Sequence, residues 1–464
     1  MCFIIMQYLK VPAICFVLLL AGKTIVFGAG LSDAGILVGA TAEVGSDTKE
    51  GLFSWKNANN VQSVIRNEFG LVQTTAYPAW GVWTGNAQNP KVFDFTDMNR
   101  VIDWARSNNK KTCIHLIAGS GTYFPEWFNT GNWTTAQVEE QFDSWITAVV
   151  TSNGNSNKVD YWNVVNEAFT WDGNYWPDST QCRWQQLGWE DDKSGLSGSA
   201  KVYARHPVYI RKAFEKTRAL TSAKLELRDY YIEFWDDSKK ARAFYQLVKH
   251  LKNSGAPIDA VGFQGHFRLD KTYDWSKLNR AVREYKALGL EVYITELDYG
   301  DDDQIAPAKT SQWTPQLDEA QSTGYYDLVK ASVSAGVDWI CLWGVADNTN
   351  QYWRMGQNAL LFNEQYQPKK AYESFKQGII DGKEAVGTVN HLKLTGRNCS
   401  REMSAYAEKM KVYTISGKCI GTVSANTIGS VTGRLSHGVY LLKTMANESR
   451  PGKQTVTDYM FVHQ

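Results

Sequence analysis

VDYWNVVNEAFTWDG, from Val159 to Gly173, begins as a strand and ends as something else. Val159, Tyr161, Trp162, Val164 and Val165 are β-branched or aromatic, the types that suit a buried, pleated surface. The run then delivers Asn166 and Glu167, a carboxylate at the C-terminal end of an apolar segment. Taken alone, that glutamate reads as the first solvated residue of a loop. A second segment of the same design changes the reading. In GLEVYITELDYG, Gly289 to Gly300, Val292, Tyr293 and Ile294 lead into Thr295, Glu296, Leu297 and Asp298.

Two strands far apart in sequence thus end in a glutamate. In a closed parallel barrel every strand points the same way, so both glutamates reach one face. Working outward, strand-like runs alternate with helix-like runs from about residue 35 to 380. The strands are GILVGA, GLVQTTA, TCIHLIA, VDYWNVV, KLELRDY, IDAVGFQ, EVYITE and WICLWGV. Between them, Phe95, Met98, Val101, Ile102 and Ala105 share one helical face, with Asp94 or Thr96 to cap its start. A helix ending near Gly255 has a glycine where a left-handed cap belongs. Eight such pairs predict a (β/α)8 barrel over residues 30–382. A doubly wound open sheet would carry a glycine-rich phosphate loop after its first strand, and GATAEVGSD is a poor match. Paired carboxylates at one barrel mouth are what glycoside hydrolysis requires.

The remaining sequence bounds the rest. The 49 Lys and Arg nearly balance the 48 Asp and Glu, so no bulk attraction to nucleic acid is implied. Eighteen Trp and 23 Tyr exceed what a core of this size needs and suit stacking on sugar faces. Lys10 followed by VPAICFVLLLAG reads as a signal peptide over residues 1–29, which places the mature protein in the secreted or cell-surface class. Cys2 and Cys15 leave with that leader. Cys113 and Cys341 fall inside strands as small buried hydrophobes, and Cys399 and Cys419 could pair. No spacing points to zinc; no metal and no cofactor is expected, and a monomer is. Residues 383–410 read as a linker. KVYTISGKCIGTV, LSHGVYLLKT and KQTVTDYMFVH then read as a small β-sandwich-like appendage over residues 411–464.

WNVVNEA, DAVGFQGH, YITELD, LWGVADN and LLFNEQYQPKKAYESF stand in order on the predicted strands 4, 6, 7 and 8 and just beyond. Together they resemble glycoside hydrolase family 10, the β-1,4-xylanases, over most of residues 35 to 380. The resemblance implies Glu167 as general acid/base and Glu296 as nucleophile of a retaining reaction, with the two carboxyl groups about 5–5.5 Å apart. Glu296 must then be ionised, and the surroundings of Glu167 should favour its neutral form. The resemblance also implies that Asn166 holds the sugar 2-OH, and that His266 hydrogen-bonds the nucleophile while Asp298 holds His266. Gln264, Trp343, Trp353, Trp80, Arg228 and Tyr230 would line the substrate, a xylan or related β-glycan.

The sequence departs from that pattern where the substrate is gripped. Thr75, Ala76 and Ala79 stand where the family has Glu, Asn and Lys, leaving Trp80. Gly119-Ser120 or Ser120-Gly121 stands for a Trp-His pair, and Arg228 for an Asn. Tyr77, Trp80, Trp83, Tyr123 and Arg228 are the residues expected to supply a different grip. Two other readings follow: a hydrolase of a different or decorated β-glycan, and a non-catalytic carbohydrate-binding protein. The tail motifs VY-x-x-x-G-K and L-x-x-GVY-L-x-K resemble the sorting domain of proteins exported by the type IX secretion system. That implies contact with secretion machinery or the cell surface.

Overall fold

The computed structural model describes residues 30–45, 51–54, 56–77, 81–177, 181–300, 313–348, 354 and 356–391, with short strands at 19–20, 23–24, 409–414, 419–424, 438–444 and 458–463. Eight strands form the barrel: β1 (Leu37–Thr41), β2 (Leu71–Thr75), β3 (Lys111–Gly119), β4 (Tyr161–Asn166), β5 (Lys224–Asp229), β6 (Ala260–Phe263), β7 (Glu291–Gly300) and β8 (Trp339–Leu342). Each pairs in parallel with its sequence neighbour, and β8 pairs with β1, so the sheet closes. All eight expected strands are present.

A helix follows each strand: α1 (Ala58–Glu68), α2 (Thr96–Ser107), α3 (Thr135–Thr151), α4 (Val208–Leu220), α5 (Lys239–Asn253), α6 (Trp275–Ala287), α7 (Pro315–Ala335) and α8 (Lys370–His391). On α2, Met98, Val101, Ile102 and Ala105 are buried, as their spacing predicts. Asp94 accepts a hydrogen bond from Thr96 N–H at 2.9 Å, so it satisfies an orphan donor of that helix start. Gly255, at φ +74°, ends α5 in the left-handed conformation. No helix among the described residues is long and apolar enough to cross a membrane.

The barrel interior is layered. Leu71, Cys113, Ala260, Tyr293, Trp339 and Cys341 make an apolar floor. Above it lie polar side chains with almost no solvent exposure: Gln73, His115, Asn163, Glu226 and Arg228. Room for the Arg228 stem comes from Gly262 on β6. A Cβ there would stand 2.8 Å from Thr295 Cγ2 and 3.3 Å from Arg228 Cγ. The surplus of aromatics is largely structural, since Trp145, Trp162, Trp184 and Trp339 are fully buried. Trp83, expected to grip substrate, is buried too and stacks on Trp145 with centroids 5.6 Å apart. Cys113 and Cys341 are free and buried, as is Cys182.

The chain divides into two compact units, Met1–Gly382 and Lys383–Gln464. In the second, Lys409–Thr414, Cys419–Ser424, Gly438–Thr444 and Asp458–His463 pair into one four-stranded antiparallel sheet, where a small sandwich was the expectation. The expected linker starts inside α8, which runs to His391. Residues 392–408, Cys399 and nearly all of the expected signal segment lie outside the described residues.

Candidate active site

The ends of β4, β6 and β7 build the centre. β7 bends where its register to β8 shifts between Ile294 and Leu297, and Glu296 lies in that irregularity. Its side chain is buried at 3 % exposure. Glu296 N–H donates to the Gln264 carbonyl at 2.9 Å, and Gln264 Nε2 donates to Glu167 Oε1 at 2.8 Å. The residue that follows β6 therefore ties both glutamates together. Glu167 is half-buried, and its φ of +51° puts a non-glycine residue in the left-handed region. That conformation persists only where the surroundings hold it. Here Glu167 N–H donates to the Arg228 carbonyl at 3.0 Å, and the Trp176 indole donates to the Glu167 carbonyl at 2.8 Å.

Electrostatics separate the two glutamates. Burial works against ionisation of Glu296, but His115 as it becomes charged in acid, then His266 and Arg228, outweigh burial and hold its carboxyl down at about 2. Arg228 Nη1 donates to Glu296 Oε1 at 3.1 Å, and His266 Nε2 donates to Oε2 at 3.3 Å. His266 Nδ1 donates to Asp298 Oδ2 at 2.9 Å. Burial opposes the imidazolium, yet Asp298 and Glu296 raise His266 to about 9, so it is charged at neutral pH. Asp298 also faces Arg354 Nε at 3.2 Å. His115 Nδ1 stands 3.8 Å from Glu296 Oε1. Burial pushes His115 down to about 3, and its Nδ1 accepts from Arg228 Nη1 at 3.2 Å. His115 is thus neutral at pH 7, and the cations on Glu296 are Arg228 and His266.

Glu167 instead meets the neutral amide of Gln264. Asn166, fully buried, donates from Nδ2 to Tyr123 Oη at 3.1 Å. Tyr123 stacks on Tyr77 at 5.5 Å, and Tyr77 meets His115 edge-on at 5.4 Å. Trp343 is half-buried beyond β8 and stands edge-on to His115 at 5.4 Å and to His266 at 6.3 Å. Lys240 Nζ covers one face of the half-buried Tyr230 ring at 2.9 Å, and Tyr231 meets that ring edge-on at 5.2 Å. Trp80 and Trp353 lie outside the described residues.

Arg228 is the residue whose expected place changes most. It has no solvent exposure, and its guanidinium is committed to Glu226, Gln73, His115 and Glu296, so it supports the nucleophile instead of lining the cleft. Its side chain points into the barrel below the mouth because residues 224, 226 and 228 alternate inward along β5. Sequence reading missed His115, Glu226, Gln73 and Arg354 in this network. Glu226 and Arg228 did leave a signal, two opposite charges at i and i+2 in an otherwise apolar strand. Glu43, after β1, is a further carboxylate at the mouth; it accepts from Thr75 N–H at 3.1 Å and Thr74 Oγ1 at 3.2 Å.

Asp192, His206 and His250 bring ligand-type atoms within 4.8 Å of one another. Their ring nitrogens are already engaged: Tyr175 Oη and Asp192 Oδ1 at His206, Lys193 N–H and Glu190 Oε1 at His250. Because Lys193 donates to His250 Nδ1, that nitrogen's lone pair is taken. The cluster reads as a polar pin for the 189–207 loop rather than a metal cradle.

The chain is similar to known proteins. The chain is 28% identical over 316 residues to an endo-1,4-beta-xylanase A of Thermoanaerobacterium saccharolyticum, covering 65% of this chain and 24% of that one. It is 29% identical over 316 residues to exoglucanase XynX of Acetivibrio thermocellus, covering 65% and 25%. The chain thus spans about a quarter of the length of these relatives. Native xylanase10C from Cellvibrio japonicus superposes with a TM-score of 0.62 at 23% identity, over 76% of this chain and 72% of that one, a likeness of fold. The sequence profile described as glycosyl hydrolase family 10 matches residues 33–378, which takes in every barrel strand and both glutamates. The chain belongs to glycosyl hydrolase family 10.

Proposed function

We propose that the protein is a retaining endo-β-glycanase that hydrolyses β-1,4-xylosidic bonds by double displacement. The observation that carries this reading is the unequal setting of the two glutamates. Glu296 is buried between two cationic donors and ionised, while Glu167 meets a neutral amide at the mouth. Glu296 attacks the anomeric carbon as Glu167 gives its proton to the leaving oxygen. Glu167 then takes a proton from the water that hydrolyses the glycosyl ester. His266, fixed by Asp298, orients the nucleophile. Asn166 is placed to meet the sugar 2-OH once it exchanges Tyr123, and Gln264, Trp343 and Tyr230 line the cleft.

The test is reducing-sugar release from β-1,4-xylan, mixed-linkage glucan and decorated xylans, with the anomer of the first product read by NMR. Release of the β anomer from xylan is expected. Early α anomer refutes the retaining mechanism. A second reading, preference for a different or decorated β-glycan, rests on Thr75, Ala76, Ala79 and Ser120, which supply no charged grip. A non-catalytic binding protein is the third, and it predicts adhesion without release on every glycan. Residues 1–29 and 411–464 fit export and sorting to the outside or surface of the cell, with the enzyme acting as a monomer.

A further inference from the structure

Beneath the nucleophile lies a charge that the double-displacement scheme does not need. Arg228 commits its guanidinium in two directions. Nε donates to Glu226 Oε1 at 2.7 Å, and Nη2 donates to the same oxygen and to Gln73 Oε1 at 2.9 Å. On the other side, Nη1 reaches both His115 Nδ1 and Glu296 Oε1. Arg228 and Glu226 are each fully buried. Burial opposes the guanidinium charge, but Glu226 and Glu296 outweigh it and hold Arg228 firmly protonated. Among the described residues Glu226 Oε2 has no hydrogen-bond partner, so this carboxylate faces Arg228 through a single oxygen.

A cation on a nucleophilic carboxylate does not act equally on the two half-reactions. In the first, Glu296 gives an electron pair to the anomeric carbon, the glycosidic C–O bond breaks, and the proton of Glu167 leaves with the departing oxygen. Glu296 becomes a neutral ester and its attraction to Arg228 falls. In the second, water bonds to the anomeric carbon, its proton passes to Glu167, and the ester C–O bond breaks. Its electron pair returns to Glu296, and the attraction to Arg228 is restored. The guanidinium attracts a full negative charge more strongly than the dipole of a neutral ester, and more so in a dry interior. It therefore favours the carboxylate over the ester.

We propose that Arg228, anchored by Glu226, is a positioning residue that biases Glu296 toward releasing its glycosyl group, so that formation of the ester and not its hydrolysis limits turnover. The proposal rests on Glu296 being the nucleophile. Gly262 supports it sterically, since a side chain at that position would displace the Arg228 stem. Glu226 moderates the effect, because it offsets the guanidinium charge that Glu296 feels.

The experiment uses the full chain and aryl β-xylobiosides whose phenols span several pKa units. A neutral pair, Arg228→Met with Glu226→Gln, removes both charges together. For the native enzyme, kcat should depend on the leaving phenol and rapid mixing should show no burst. For the double variant, deglycosylation should slow at least tenfold. About one equivalent of phenol should then appear in a burst, kcat should lose its dependence on the phenol, and KM should fall. A merely structural role moves none of these together. Arg228→Lys, which keeps a cation, should restore burst-free kinetics. Glu226→Gln alone leaves the guanidinium uncompensated; it should lower kcat without a burst, so it keeps the question decidable if the double variant does not fold. Labelling by a 2-deoxy-2-fluoro xylobioside separates the two ideas. If native Glu296 is not labelled, the nucleophile assignment falls and this proposal with it. If Glu296 is labelled and the double variant shows no burst, or Glu226→Gln shows one, only the role of Arg228 is overturned.

Discussion

Raising the pH from 7 to 10 should weaken the fold through one side chain. His266 stands at about 9 in the folded protein, against an ordinary value of 6.5. Burial pulls it down, and the carboxylates of Asp298 and Glu296 more than reverse that. A group raised on folding stabilises the native state fully below its unfolded pKa and loses that contribution as pH rises through the folded one. The gap between 6.5 and about 9 corresponds to about 3 kcal/mol at acidic pH, most of it still present at pH 7 and nearly all gone by pH 10. The side chain is 8 % exposed, so solvent screening takes little from this figure. Other groups titrate over the same interval, and a difference measurement removes them. Urea unfolding of the native protein and of His266→Asn at pH 7 and pH 10 gives two losses of stability. The native protein should lose about 2–3 kcal/mol more than the variant. Equal losses, or a His266 Cε1 proton that titrates below pH 7, would refute the charged imidazolium and the grip on Glu296 built on it.

Other expectations concern the site, the barrel and the tail. Glu296→Ala and Glu167→Ala should each lower xylan hydrolysis by at least about 100-fold. Azide should rescue the first as an inverted glycosyl azide, and activated aryl glycosides should still form the intermediate in the second; near-native activity of either on xylan contradicts the assignment. Gly262→Ala pushes a methyl group against Thr295 and Arg228, and should cost about 1–3 kcal/mol in chemical denaturation while lowering kcat. A linear xylohexaose should be a mediocre substrate, because no charged side chain stands at Thr75, Ala76, Ala79 or Ser120; kcat/KM near about 10⁷ M⁻¹s⁻¹ would show that other contacts replace them. Removal of residues 392–464, a cut placed beyond the helix that ends at His391, should leave soluble-substrate hydrolysis unchanged and retain the enzyme in the native cell. An exported truncation that no longer adheres to insoluble polysaccharide would instead mark the tail as a carbohydrate-binding module.

The barrel was legible because its strands lie between an outer ring of helices and a filled interior. Strands buried on both sides read as apolar runs, and eight of them alternate with amphipathic helices. Glu167 and Glu296 were legible for a related reason, since each interrupts such a run at the end that faces the mouth. The support beneath them was less so. His115 and Arg228 sit within strands, and sequence does not say how deep along the barrel axis a residue falls. Arg228 therefore read as a substrate contact, although its depth places it under the nucleophile. Trp83 was misread for the opposite reason, an aromatic near the site in sequence but packed into the wall between sheet and helix. Arg354 lies beyond β8 in sequence and meets Asp298 only through tertiary folding.

Gln264 touches the Glu296 backbone with its carbonyl and the Glu167 carboxylate with its amide. One backbone position just past β6 therefore fixes where the two carboxylates stand relative to each other. When the barrel breathes, both groups ride on the same support and their spacing changes less than either position does. The spacing of the pair thus belongs to the barrel frame and not to either side chain alone.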